Sequence, residues 1–596
     1  MPMPTSSEPI PQVPLSRTPE LPAWYPEWAR SLADAYFSGT TCLFVLHGNV
    51  HDLIRCPEGD ADAYCNLSEF LSTQMFGAYD VVLYYDVARG LRPLASDSKR
   101  LQSMMQYLAG RIGGEPNAWP RDPDQVLLLI DRILERNLLE EDPSKRKSIG
   151  VIIAYAQYLA ADGDLGQMSR GQSTNLVRFL SWAKNPYLKR VNVAFCLIAD
   201  NLMEVNDRLV QSQHVEAIEI PLPDRVERER FCNWVGKAQD LGRLTSFTAP
   251  QLAELSNGLT LTSLHTLLSQ GKSGKRVEAA RFKQLKKTLI ERQCQGLLEF
   301  VEPGHTLDLV VGLEAAKRRL REDAELITQG RLDAAPMGYL LCGPVGTGKT
   351  FLAECYAGSI GIPCVKLRNF RSKYVGETEG NLEQVLTVLR SLGPVVVLID
   401  EADAALGTRQ ADGDSGTSSR VFAMIASQMG DTRYRGKIIW MLMTSRPDLL
   451  PIDLKRQGRA EVHIPLFYPQ DQAEFREMFR VMAKKNKVVL AADALPAAPT
   501  DRGLSGSDIE SILLSAKREA LTAGKTEVTR ADLEKALSEF IPSAQGLEKE
   551  MQEIAAVLEC TQQSFLTPRW QTQLAQPDGR ARLQERLVAI RQIVQQ

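Results

Sequence analysis

The stretch GPVGTGKT, Gly343 to Thr350, decides how this 596-residue chain is read. Glycines at Gly343, Gly346 and Gly348 let backbone N–H groups curl around phosphates, and Pro344, Val345 and Thr347 complete the loop. At that spacing Lys349 reaches the β- and γ-phosphates of a nucleotide, and the Thr350 hydroxyl holds Mg2+. The flanks agree: MGYLLCG is a short apolar run of strand type, and TFLAECYAGSI has helical spacing. Strand, glycine-rich turn and helix follow in order, so the helix N-terminus adds favourable partial charge for an anion. The pattern asks for ATP with Mg2+.

Further on, PVVVLIDEADAAL is an apolar run too short for a free helix, bracketed by Pro394 and two carboxylates. It reads as a buried parallel strand. Its end brings Asp400 beside the loop, where a carboxylate binds the magnesium shell, and Glu401 where it orients the attacking water.

The remaining composition excludes several classes. A net charge of −3 gives no overall attraction to nucleic acid or an anionic membrane. The ten cysteines contain no Cys-x-x-Cys pair, which suits reduced thiols of a cytoplasmic protein and argues against a zinc ribbon. No run of 18 apolar residues is present, so membrane insertion is not expected. Residues 1–28 are proline-rich and read as a flexible arm.

Further segments, in order, resemble the AAA family between about residues 301 and 545. VVGLEAAKRRLRE resembles the family's entry segment, and SKYVGETEGNLEQV its first pore loop with the following helix. DSGTSSRVFAMIASQMGD is similar to the subunit-facing helix, MTSRPDLL to the sensor-1 strand, RQGR to paired arginine fingers, and GLSGSDIESILLSAKREAL to the second-sensor helix of a small lid. By these motifs the chain resembles the substrate-threading branch, which includes valosin-containing protein, the N-ethylmaleimide-sensitive fusion ATPase and the proteasomal ATPases. The resemblance implies a Mg-dependent ATPase working as a homo-oligomer, a hexamer in this family, on a protein substrate. Arg456 and Arg459 would reach a neighbouring subunit's ATP, Phe351 and Gly506 would join the nucleotide-binding set, and Lys373, Tyr374 and Val375 would line the pore. GTRQADGDSGTSS, whose glycines and aspartates forbid a stable helix, reads either as a second axial loop or as a plain disordered connection. The family usually has Asn where Ser445 stands, and a hydroxyl has a shorter reach than an amide.

The first half looks like a degenerate copy. LIADNLMEVNDRLVQSQHVEAIEIPL, after Cys196, aligns without gaps to MLMTSRPDLLPIDLKRQGRAEVHIPL at an offset of 244 residues. That offset puts Asn201 in the sensor-1 place and Ser212 and Val215 where Arg456 and Arg459 stand. Carried back, it sets Ala156 and Gln157 against Asp400 and Glu401. CLFVLHGNVHDLI keeps a strand and Gly48 but offers no Lys-Thr pair. VLLLIDRILERN supplies Asp131 at a strand end, with no loop to accompany it, and is a decoy. His47 and His51 would face together only on a helix, which Gly48 disfavours, so no metal site is expected there.

The expected fold is α/β: two tandem AAA-type modules of parallel sheet flanked by helices, each with a helical lid. The boundaries read as a degenerate domain over 29–245, lid and linker over 246–300, the active large domain over 301–467, its lid over 468–545, and a helical tail over 546–596. The basic stretch 268–300 reads as a solvated helix face. In the tail, Leu583, Leu587, Ile590 and Val594 have heptad-like spacing and read as packing on the protein's own body. The function implied is a motor that remodels, unfolds or disassembles a protein substrate, with the first module as a docking tier. The alternative is a nucleotide-switched scaffold that recruits partners without threading them. The chain holds no His-Glu-x-x-His, so this stretch carries no metalloprotease centre of that type.

Overall fold

The computed structural model describes residues 21–57, 59, 61–95, 97–112, 119–163, 168–273, 276–368, 375–406, 417–497, 503–541 and 546–594. The chain divides into two units, Met1–Leu289 and Ile290–Gln596.

In the first unit, β1 (Leu43–Gly48) is followed by a small hairpin of β2 (Ile54–Arg55) and β3 (Tyr64–Cys65). Then come β4 (Val81–Asp86), β5 (Gly90–Pro93), β6 (Ile149–Ile153), β7 (Val193–Ile198) and β8 (Val215–Ile220). One six-stranded sheet has the order β5-β4-β6-β7-β1-β8, parallel except for β5, which pairs antiparallel with β4. Every residue of β4, β6 and β7 is buried, because helices cover both faces of a parallel sheet and leave no solvated side. On one face Trp182 stacks on Phe195 with ring centroids 4.8 Å apart. On the other, Tyr25 and Trp28 pack on Phe70, so the end of the segment read as a flexible arm joins the core. Residues 1–20 lie outside the described residues.

The run around Asp131 is a helix, Pro123–Leu138, and not a strand. Asp122 caps it through the Gln125 N–H, Pro123 occupies its first turn, and Asp131 accepts from the Trp182 indole N–H. Burial raises the Asp131 carboxyl above its ordinary range. After β8 a helical group follows, including Arg225–Gln239, Leu261–Ser269 and Ala279–Gln293. The last of these carries the basic stretch: Arg281 and Lys283 are exposed, whereas Lys286 turns inward to donate to the Leu255 carbonyl at 2.8 Å. Burial lowers Lys286 to about 8.

The second unit repeats the architecture with β9 (Leu298–Val301), β10 (Gly338–Cys342), β11 (Cys364–Leu367), β12 (Val395–Ile399), β13 (Ile438–Thr444) and β14 (Val462–Pro465). The order is β14-β10-β13-β12-β11-β9, and only β9 runs antiparallel. In the first sheet the antiparallel edge strand follows its neighbour in the chain, whereas here it comes first. The apolar runs GYLLC, VVVLI and IIWMLMT become the fully buried centre of the sheet. A lid formed by Gln472–Lys485, Gly506–Thr522 and Arg530–Glu539 has its own core. The two lids share a detail: single parallel bridges, Thr245 to Val277 and Leu490 to Val528, precede equivalent helices. In the tail, Leu583, Leu587 and Ile590 of Gly579–Val594 pack with Met551, Ile554 and Trp570, while Val594 is 43% exposed. All ten cysteines are free, and nine are buried. Among the described residues no helix is long and apolar enough to cross a membrane.

Candidate functional site

The loop after β10 reverses direction tightly before helix Lys349–Ile360 begins. Gly346 and Gly348 have φ of +82° and +85°, in the left-handed region that glycine adopts without strain. A Cβ on Gly346 would lie 2.4 Å from Ser507 Oγ and 2.6 Å from Ser505 Oγ, so the lid helix Gly506–Thr522 starts directly against the loop. Lys349 Nζ donates to the carbonyls of Gly343 and Pro344 at 2.8 and 2.9 Å. Burial pushes its ammonium down to about 8.

Asp400 directly follows β12, beside this helix. Its Oδ2 accepts from the Thr350 hydroxyl at 3.2 Å and from Lys366 Nζ at 3.0 Å. Lys366 comes from β11, and sequence reasoning missed it; the only signal was a charged residue near the end of an otherwise apolar strand. Glu401 follows with φ +48° and an exposed carboxylate. At the end of β13 the Thr444 hydroxyl donates to Asp403 at 2.6 Å and accepts from the Arg446 N–H at 2.8 Å, fixing the turn that carries Ser445.

These groups line one cleft of about 580 Å3. Lys349, Thr350, Asp400, Glu401 and Ser445 form its polar end, and Phe351 and Gly506 also border it. Val310, Val311, Met478, Val481 and Met482 form an apolar end between sheet and lid, which suits a planar base. No sequence motif pointed to those methionines. The Thr350 hydroxyl and Asp400 carboxylate are hard oxygen donors converging on one point, so the residues fit Mg2+.

Arg456 and Arg459 do not border this cleft. Arg456 has a side chain 61% exposed, 3.5 Å from Asp453, whereas that of Arg459 is 13% exposed and donates to the Asp453 carbonyl at 2.8 Å. Lys373 and Tyr374 lie outside the described residues, as does most of the second axial-loop segment. Val375 opens helix Val375–Ser391, whose first side chains are likewise undescribed.

The first unit corrects the gap-free comparison. Ile153 ends β6 as Ile399 ends β12, and two residues later Tyr155 and Glu401 both have positive φ, +56° and +48°. Ala154 and Tyr155, rather than Ala156 and Gln157, therefore stand at the places of Asp400 and Glu401. Gln157 is buried, and neither amide atom has a partner. The short turns after β7 and β13 begin at Leu202 and Pro447, which puts Asp200 and not Asn201 opposite Ser445. By the next helices, Asp207–Val210 and Ile452–Lys455, Gln211 and His214 replace Ser212 and Val215 as counterparts of the two arginines. No guanidinium stands at either place. His51 lies 2.6 Å from Asp200, which raises its pKa, whereas burial lowers His47 to about 4.

Asp52, in the loop after β1, is 3% exposed. It accepts from the N–H groups of Leu261 and Thr262 at 2.9 and 2.8 Å, and from the Thr262 hydroxyl at 3.0 Å. These residues start helix Leu261–Ser269, in GLTLTSL, which matches GLSGSDI around Gly506 and Ser507. A carboxylate of the chain thus sits between loop and lid where the second unit has an open cleft.

Three family models match the chain. They are the AAA+ chaperone N-terminal Rossmann-like domain over residues 18–221, the AAA+ chaperone second helical domain over 226–295, and the ATPase family associated with various cellular activities (AAA) over 339–468. Among curated proteins, the chain is 32% identical over 284 residues to ATP-dependent zinc metalloprotease FtsH 3 of Sphaerobacter thermophilus, covering 46% of this chain and 57% of the relative. It is 26% identical over 373 residues to the cell division cycle protein 48 homolog of Archaeoglobus fulgidus, covering 55% and 50%. With protein SAV of Sulfolobus acidocaldarius the identity is 30% over 221 residues, covering 35% and 28%. The chain spans about half the length of the first two relatives.

Proposed function

This chain belongs to the AAA family of ATPases, and from that premise we propose that its second module hydrolyses ATP to remodel, unfold or disassemble a protein substrate. The convergence of Lys349, Thr350, Asp400, Glu401 and Ser445 on one cleft with an apolar far end carries this reading. The base enters between Val310 and Met482, and the loop N–H groups with Lys349 hold the phosphates. Thr350 and Asp400 would hold Mg2+, which when bound neutralises charge on the phosphate oxygens. Glu401 then orients the attacking water, and Ser445 bonds to that water or to the departing phosphate.

Arg456 and Arg459 lie away from their own cleft and serve the next subunit's, so the active unit is a ring of copies, six in this reading. Such a guanidinium in trans is worth roughly 10³ to 10⁵ in rate. Lys373, Tyr374 and Val375 form the axial grip, in which an aromatic ring holds an extended peptide without reading its sequence. The first module is a structural and docking tier: it has no lysine in its loop and no carboxylate pair at the end of β6, and Asp52 already bonds the end of its lid helix. The site of action is the cytoplasm.

Two variants test the proposal. Tyr374→Ala should keep basal ATP hydrolysis within about twofold and abolish unfolding of a tagged substrate; retained unfolding would remove the grip. Glu401→Gln should retain bound ATP and trap polypeptides recoverable by pull-down. If this variant still hydrolyses ATP at the wild-type rate, the assigned chemistry is wrong.

A further inference from the structure

The tail helix Leu547–Glu559 packs against the second sheet near β14 and reaches the phosphate loop from behind. Gln552, on its buried face, is 5% exposed, and its Oε1 accepts the Val345 N–H at 3.1 Å. Val345 borders the cleft, but its amide is already engaged by Gln552, so it is the point where the loop is held rather than where it binds. The Tyr468 hydroxyl adds a bond to the Val345 carbonyl at 3.3 Å. The same helix is anchored elsewhere. Seven residues beyond Gln552, and so on the same helical face, the Glu559 carboxylate accepts from Lys455 Nζ, and the Glu559 carbonyl lies 2.8 Å from His463 Nδ1. The His463 N–H donates to the Thr561 hydroxyl at 3.0 Å. The helix is thereby fixed to β14 and to the short helix that precedes Arg456 and Arg459, while its middle reaches the loop.

We propose that Gln552 is a positioning residue for nucleotide binding. It pins the Val345 amide, which is turned toward the tail helix, so that the N–H groups of Gly346, Gly348 and Lys349 stay turned toward the phosphates. The tail then works as a strut for the loop. This rests on nucleotide binding by the second module, as the function above requires, but on neither hydrolysis nor threading.

The test uses the full chain and three variants: Gln552→Leu, Val345→Pro, which has no N–H to hold, and the double variant. In Gln552→Leu, hydrogen exchange without nucleotide should speed up in the peptide containing Val345. Its affinity for a fluorescent ADP should fall roughly tenfold, as expected when one buried bond is lost and its donor left unpaired. KM should rise with kcat nearly unchanged. In the Val345→Pro background, Gln552→Leu should change affinity by less than about twofold, because its partner is already gone. A purely structural role predicts instead equal losses in both backgrounds. Equal losses would overturn the proposal, as would wild-type exchange at Val345 in Gln552→Leu. The exchange measurement needs no ligand, so it stands or falls apart from the motor reading.

Discussion

Raising the pH above about 8 should weaken nucleotide binding steeply, and the reason is Lys349. Its ammonium is hydrogen-bonded to the carbonyls of Gly343 and Pro344, and burial, which outweighs the attraction of Asp400 and Asp403, lowers its pKa from 10.5 to about 8 in the empty cleft. That depression corresponds to about 3 kcal/mol at 1.36 kcal/mol per unit. Bound phosphates favour the charged form and return the pKa toward its ordinary value. Below pH 8 the free lysine is already protonated, and affinity is flat. Between 8 and 10.5, binding must also take up a proton, so affinity falls by up to tenfold per unit, roughly thirtyfold by pH 9.5. Stability of the empty protein moves the other way. Across the same window the unfolded chain holds the proton that the folded one has lost, so this group's unfavourable contribution shrinks as pH rises. Fluorescence anisotropy with labelled ADP at constant ionic strength and magnesium, from pH 7 to 9.5, measures the slope. Lys349→Met should bind at least tenfold weaker with no slope. A wild-type dissociation constant constant within twofold over that range would refute the reasoning.

Lys366 shares Asp400 Oδ2 with Thr350, and this half-exposed pair is worth about 0.5–1 kcal/mol. Lys366→Met should therefore lower the magnesium concentration needed for half-maximal nucleotide binding by roughly two- to fivefold, read by titrating magnesium against labelled ADP; an unchanged midpoint removes the competition. Asp131→Ala strips the Trp182 indole N–H of its acceptor, so the first unit should lose about 1–3 kcal/mol in urea denaturation while ATP hydrolysis by the folded protein stays unaltered. Arg456→Ala should reduce turnover at least a thousandfold with nucleotide affinity within twofold; full activity would show that the subunit contact lies elsewhere.

Much of the second sheet was readable because parallel strands covered on both faces write themselves as unbroken apolar runs, as VVVLI and IIWMLMT do. The phosphate loop was legible because its glycine positions follow from backbone geometry. The Asp131 segment misled for a related reason: VLLLI is apolar enough for a buried strand, and only the Asp122-Pro123 cap, a local helix signal, separates the two. The comparison of halves slipped by one or two residues because the loops between equivalent strands differ in length, which a gap-free offset cannot follow. Lys366, the Met478–Met482 wall and Gln552 were not legible at all. Each meets the cleft or a residue that lines it from a segment remote in sequence, and nothing in the local pattern records where a helix or strand edge will land.

Asp52 has a consequence for how the two halves respond to the cell. A tethered carboxylate cannot diffuse away, so its hold on the Leu261–Ser269 helix does not depend on nucleotide concentration. The leading half should melt at one temperature whether the surrounding adenylate pool is full or exhausted, and only the trailing half should register the difference. If the first module binds no nucleotide, as proposed, its fold holds steady when fuel runs out while the second module registers the change.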